Sequence, residues 1–386
     1  MIDYGDLMCS HSGSTGVLWE MAKNEVDAIE RMRYCSRAYN NESNDQLNAL
    51  WGFFTHSGKR KYFMAAEAFG RHMADVDICH GPAHSGRTGL IHYHNCHHWT
   101  GGVSPSHTCM AGLMLQYYLT GNRRIFDVGR EIADWVLGQQ EPCGIFRNSG
   151  ALVREFTTPV VNLLEFYQAT WDRRYFDLAR RSLRWLLLAC PEPGSMPQSI
   201  YTGGERGDEA EVEHSGGWHL RQAGGMTPQL LWDANHLMGA QDPIYREALI
   251  AMAQRYVYHR NDVFEVLSVG SRNVEQLDPY FNAAVVAYAY ALTEELAYAA
   301  YCRYYLRVHF PERSRQTSFT YVCWGSIVPP LMEAVRRAEQ RHGVEALDRA
   351  EENWIRQVEA RVPEATALKP ADRPERRSIG VIEGYE

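Results

Sequence analysis

Five of the chain's sixteen histidines fall between Gly89 and His107, in the run GLIHYHNCHHWTGGVSPSH. His92, Tyr93, His94, Asn95, His97, His98 and Trp99 stand almost side by side there. Imidazole and phenol groups move protons near neutral pH, and an indole beside them can stack on a sugar ring. Folding gives no reason to gather so many polar aromatic groups before one helix, whereas chemistry on a sugar does. His92, His94 and His98 alternate, so they can line one face of an extended segment. Two or three histidines with a carboxylate would suit zinc. The stretch has no HExxH and no CxxC partner, and the site is expected to need no metal and no cofactor. Cys96 and Cys109 lie near histidines, but a nucleophilic Cys–His pair cannot be read from proximity in sequence.

Helical periodicity dominates the elements that must position this stretch, and it recurs. Ser104-Pro105, Thr158-Pro159, Thr227-Pro228 and Asp278-Pro279 each precede an apolar run. A capping side chain followed by proline at the first helical position satisfies one backbone N–H and removes another. Ser43 to Asp45 caps a similar run, DQLNALWGFFTHSG, and a sixth begins near Trp324. SGK, TGN and TWD close three of these runs, and RKYFMAAEAFGRHMADV, RRIFDVGREIADWVL and RRYFDLARRSLRWLLLA follow them. DPIYREALIAMAQRYVYH is their counterpart after the Thr227-Pro228 run. The unit is an apolar helix, a tight turn and an amphipathic helix. Six such hairpins predict an all-α fold, an (α/α)6 toroid or six-hairpin barrel, over residues 1–361, with an open solenoid as the competing arrangement. A helix over Thr15 to Ala38 is expected to close the ring. Residues 362–386, rich in proline and charge, are expected to form an extended tail.

With all inner helices starting at one end, the segments before their caps converge on one mouth. They are RAYNNESN, the histidine stretch, SGALVREFTT, EHSGGWHLRQAGGMT and SRNVEQLD. Helix N-termini aimed there favour an anion. Arg87, Arg154 and Arg221 suit a carboxylate through forked hydrogen bonds. The catalytic candidates are His94 with His98 or Tyr93, and His92. Asn41, Arg87 and Arg154 are expected to hold a carboxylate, and Trp99 and Trp218 to stack on sugar rings. Glu42, Asn95, His97, His107, His214, His219 and Arg221 complete the substrate-binding candidates. ERGDEAEVE, from Glu205 to Glu213, reads as a solvated acidic loop.

A net charge of −8 argues against a nucleic-acid surface, and no apolar run approaches the ~18 residues of a membrane span. Nine scattered cysteines without a CxxC pair argue for a reducing compartment. The N-terminus MIDYGDLMCSHSG lacks the pattern of a signal peptide, so the expected location is cytoplasmic. The expected partner is a glycan, with no nucleic acid and no membrane; assembly into a homo-oligomer is left open.

YNNESN, ADVDICH and HYHNCHHWTGGVSPSHT, running into a helix that ends in TG, resemble the C-terminal α/α toroid of exo-rhamnogalacturonan lyases. They are also similar to the toroid of β-glucuronidases of glycoside hydrolase family 154. The resemblance covers roughly residues 3 to 330 and implies action on a uronic-acid-containing glycan. Elimination needs a base and groups that neutralise the uronate carboxylate, whereas hydrolysis needs two carboxylic residues. The mouth is rich in His, Tyr, Asn and Arg. Its carboxylates are comparatively few: Glu42, Asp45, Glu155, Glu213 and Asp278. The leading expectation is therefore a polysaccharide lyase acting by β-elimination. The alternatives are an exo-acting, β-glucuronidase-like hydrolase and a non-catalytic glycan-binding protein.

Overall fold

The computed structural model describes residues 45–82, 86–92, 103–147, 149–190, 196–197, 199–214, 227–239, 242–258, 283–309, 318–365 and 375–386. The chain divides into two compact units: residues 1–140, 158–178 and 316–326 form one, and 141–157, 179–315 and 327–386 the other.

Twelve α-helices among the described residues follow one another as six consecutive pairs. They are α1 (Gln46–Ser57) and α2 (Arg60–His72); α3 (Ala111–Thr120) and α4 (Arg123–Gly138); α5 (Val153–Thr170) and α6 (Arg173–Ala189). Then come α7 (Thr227–Met238) and α8 (Ile244–Tyr258); α9 (Ala284–Thr293) and α10 (Leu296–Tyr304); α11 (Ser318–His342) and α12 (Val344–Ala365). The pair α11 and α12 supplies a sixth hairpin without the expected Thr15–Ala38 helix, which lies outside the described residues.

Four of the turns use one chemical device. The last residue of the first helix is Ser57, Thr120, Thr170 or Thr293, and its hydroxyl donates to the carbonyl four residues back. The same oxygen accepts the N–H two residues on, from Lys59, Asn122, Asp172 or Glu295. The residue between adopts the left-handed conformation: Gly58, Gly121, Trp171 and Glu294, with φ of 65°, 68°, 56° and 60°. The left-handed residue lets its own N–H return to the helix's open carbonyls and end it. Asn122 and Asp172 then cap the next helix by accepting from Arg124 N and Arg174 N.

In the first unit, α4 shows why the second helix of a pair is amphipathic. Ile125, Phe126, Val128, Gly129, Ile132, Ala133 and Val136 are buried along one face, while Arg124, Asp127 and Arg130 remain exposed. Burial of each large apolar side chain contributes ~1.5–3 kcal/mol. Phe126 lies 5.0 Å from Tyr117 and 5.2 Å from Phe166, ring centre to ring centre. At the head of α1, Asp45 accepts the N–H of Asn48 at 2.9 Å, as the sequence expects of a cap.

The first unit holds two short strands, β1 (Ile91–His92) and β2 (Val103–Ser104), and the second a four-stranded antiparallel sheet in the order β3 (Ser149–Leu152), β4 (Ser199–Gly203), β5 (Glu209–His214), β6 (Glu375–Val381). A helix-only reading underestimates this β-structure. The segment expected as a solvated acidic loop is mostly β5. Ala210 and Val212 are fully buried, so EAEV is a period-two run with Glu209 and Glu211 on the opposite face. Residues 375–381 of the expected tail form the edge strand, with Arg376 opposite Glu213 and Arg377 opposite Val212. Past β6, Ile382 and Tyr385 are buried. Arg180 and Arg184 donate to the carbonyls of Glu386 and Gly384 at 2.7 and 2.5 Å. The last residues therefore dock on α6.

Two helix starts differ from their proline signals. Pro159 lies inside α5, which begins six residues earlier at Val153. Arg154 and Glu155 therefore stand on a helix rather than on a loop. Pro105 opens a three-residue 3-10 turn, Pro105–His107, and α3 starts only at Ala111, because Asn162 takes over the backbone bonds of Thr108 and Met110 between them. Thr227 does open α7.

Candidate functional site

The histidine stretch is the connection of a two-stranded hairpin in the first unit. Ile91 pairs with Ser104 and His92 with Val103, in strands Ile91–His92 and Val103–Ser104. A buried polar network holds its base. The Thr108 hydroxyl donates to the Ser104 carbonyl at 2.8 Å and accepts the Ile91 N–H at 3.0 Å. The Asn162 amide, on α5, donates to the Thr108 carbonyl at 2.5 Å and accepts the Met110 N–H at 3.1 Å. Both side chains are essentially inaccessible. Hydrogen bonding satisfies each of these buried groups and fixes where the connection leaves and re-enters the fold.

Tyr93, His94, Asn95, His97, His98 and Trp99 lie outside the described residues. So do Asn41, Glu42, Trp218, His219 and Arg221. For His92 and His214 the strand position is described and the side chain is not. His107 is buried at the end of the 3-10 turn. Arg87 is exposed, and its carbonyl accepts the N–H of Leu90.

Still in the first unit, Asp45 joins two helix heads. One carboxylate oxygen caps α1, and the other accepts the N–H of Gly112 in α3 at 2.8 Å. Burial raises its pKa to about 6, against the pull of the Gly112, Asn48 and Ala111 backbone N–H groups.

In the second unit, Arg154 occupies the first turn of α5, beside Glu155, at the helix end whose dipole favours an anion. Its Nε is buried and makes no hydrogen bond; Glu155 Oε1 is 4.0 Å away, beyond bonding distance. A guanidinium N–H buried without a partner is costly, while the Arg154 side chain as a whole remains 28% exposed, which leaves it open to a carboxylate.

The second unit also contains a cluster absent from the sequence-derived candidates. Gln229 Nε2 donates to both oxygens of Asp233, at 2.8 and 2.9 Å. Its Oε1 accepts the hydroxyl of Tyr288, on α9, at 3.2 Å. Trp232 stacks on Tyr288 with ring centres 4.6 Å apart and planes 17° from parallel. His236 meets the Trp232 ring edge-on at 4.1 Å. Desolvation raises the Asp233 pKa to about 7, opposed by the Gln229 amide and by the nearby His236. The Tyr288 hydroxyl is pushed up by burial and then by Asp233. A carboxyl that keeps its proton near neutrality can act as a general acid. The spacing 229, 232, 233, 236 within QLLWDANHLM was a legible signal, since a core helix needs no polar stripe.

A solved structure described as an unsaturated glucuronyl hydrolase specific for heparin is 12% identical, with a TM-score of 0.48, covering 76% of this chain and 84% of that one. An unsaturated glucuronyl hydrolase from Streptococcus agalactiae is 11% identical, with a TM-score of 0.41, covering 76% of this chain and 71% of that one. YetA of Bacillus subtilis (strain 168), described as an uncharacterised protein, is 35% identical over 130 residues; the match covers 32% of this chain and 15% of YetA. Residues 38–338 match the family model of the PcRGLX-like protein C-terminal α/α toroid domain. The six hairpins and that match over most of the chain place the protein in the PcRGLX-like C-terminal α/α toroid family.

Proposed function

We propose that this protein is a carbohydrate-active enzyme that cleaves uronic-acid-containing glycans by β-elimination. The observation that carries the reading is Arg154, whose partly exposed guanidinium stands on the first turn of α5. Elimination beside a uronate proceeds slowly unless the carboxylate is neutralised, because negative charge builds onto it as the C5 proton leaves. A forked guanidinium at a helix N-terminus suits that task. Proton transfer is assigned to His94 with His98 or Tyr93, and ring stacking to Trp99 and Trp218.

The test is the ultraviolet absorbance of a digest of uronic-acid polysaccharide. Elimination leaves a C4–C5 double bond conjugated to the carboxylate, so absorbance rises as cleavage proceeds. Release of saturated uronate without that absorbance overturns elimination in favour of hydrolysis. One observation favours this second reading: the Asp233 carboxyl, at a pKa of about 7, has the property of a hydrolase's acid.

A further inference from the structure

Helix α7 has two unlike faces. Leu230, Leu231, Ala234 and Met238 are buried in the core of the second unit. Gln229, Trp232, Asp233 and His236 follow the spacing i, i+3, i+4, i+7 and share another face. Along it Gln229, Trp232 and Asp233 are half-buried and His236 is exposed; Tyr288 of α9, packed against them, is half-buried. These residues join a carboxyl group to an aromatic wall that remains partly accessible.

We propose that this face of α7, with Tyr288, is a sugar subsite in which Asp233 gives its proton to the departing glycosidic oxygen. The inference deepens the uronide-cleaving reading and rests on it. Two features of the geometry carry it. The stacked Trp232 and Tyr288 rings, both partly accessible, form an apolar aromatic wall of the kind that the C–H groups of a pyranose pack against. Tyr288 donates to Gln229 Oε1, which fixes the amide so that its N–H group faces both oxygens of Asp233. The carboxyl is therefore held in one orientation. It also keeps its proton near neutral pH, because burial outweighs the stabilisation of the anion by Gln229 and by His236. Tyr288 is the titratable group facing Asp233 from α9, and His236 the one from its own helix.

The step balances. In elimination the base takes the C5 proton, the C5–H electron pair becomes the new C4–C5 double bond, and the C4–O bond breaks with its pair on oxygen. The Asp233 proton joins that oxygen to give a hydroxyl. Asp233 is left as a carboxylate, and the proton held by the base returns through solvent to restore it. In hydrolysis the same proton goes to the oxygen leaving C1, while water supplies the new C–O bond and gives up the proton that restores Asp233.

The experiment uses the full chain and two uronides that differ only in the group that departs. One loses a sugar alcohol, which needs a proton, and the other loses 4-nitrophenoxide, which does not. Asp233→Asn keeps the side chain's shape and removes the acid. The expected loss in kcat/KM is ~10²–10⁴-fold on the alcohol substrate and under about tenfold on the nitrophenoxide. The wild type should show an alkaline limb near pH 7 on the first substrate only. Equal losses on both substrates, or no loss on either, overturn the proton-donor role while uronide cleavage stands. A wild type that cleaves neither overturns the uronide-cleaving reading, and the subsite with it. If Asp233→Asn does not fold, the wild-type profiles decide: a limb on the alcohol substrate alone supports the role, and the same limb on both overturns it.

Discussion

The carboxylate of Asp45 accepts the backbone N–H of Gly112, 67 positions later, at 2.8 Å, and so ties the head of α3 to the head of α1. The approach is close enough that a Cβ on Gly112 would lie 2.4 Å from Asn48 N and 2.5 Å from the Asp45 carboxylate. Gly112→Ala is therefore expected to destabilise the protein by ~1–3 kcal/mol, through forced separation of the two helix heads. Chemical denaturation would measure the loss, and an unchanged midpoint would refute the packing argument.

The same carboxyl makes a pH prediction. Its pKa is raised to about 6 in the folded protein from an ordinary 3.8, so the folded state binds the proton more tightly than the unfolded state. The associated stability is present below pH 3.8 and is lost as pH rises through about 6. Within that window the loss has a slope of roughly 1.4 kcal/mol per pH unit. Asp45→Asn lacks this term. Its melting temperature should gain on the wild type between pH 4 and 6, and parallel melting curves across that range would contradict the prediction.

The Asn162 side chain makes two hydrogen bonds to the backbone below the histidine hairpin, at Thr108 and Met110. Asn162→Ala leaves a buried carbonyl and a buried N–H without these partners, at a cost of ~1–3 kcal/mol for each group left unsatisfied. Asn162→Asp keeps the acceptor for Met110 and loses the donor to Thr108. It should be intermediate at neutral pH if the network is what matters.

Replacing His94 by Ala should reduce turnover of a uronic-acid glycan by ~10²–10⁴-fold, the usual contribution of a general base. The melting temperature should change little. Arg154→Ala should lower turnover and also weaken substrate binding, because a carboxylate clamp acts in the ground state and strengthens in the transition state. A drop in melting temperature with normal activity per folded molecule would assign His94 to scaffolding and move the search to Glu213, His214, His219 and Arg221.

Trp171 ends α5 with φ of 56° and is largely exposed, in the position that glycine fills after α1 and α3. A side chain in this conformation costs roughly 1–2 kcal/mol. Trp171→Gly should raise stability by up to about 1 kcal/mol, less whatever the edge-on contact with Tyr167 contributes. A lower melting temperature would mean that the ring contact outweighs the backbone strain.

The hairpin architecture was legible because it is local. Ser, Thr, Asn and Asp beside tight turns, and apolar positions at helical spacing, determine where each pair begins and turns, and the repetition of SGK, TGN and TWD marks three of those turns. The β-sheet was less legible, because β6 pairs with β5 across more than 160 residues, as Val212 opposite Arg377 shows. No window of sequence contains that partnership. Pro159 illustrates the same limit, for its local signal to start a helix yielded to a strand and helix that place Arg154 on the first turn. The histidine stretch was conspicuous because its residue types cluster in sequence. The polar spacing of α7 was visible in QLLWDANHLM, but that Asp233 holds a proton follows only from Tyr288 of another helix fixing Gln229 against it and from burial. Residue type and spacing determined which groups could do chemistry; the tertiary structure decided which of them keeps a proton, because desolvation depends on neighbours that folding brings from elsewhere in the chain.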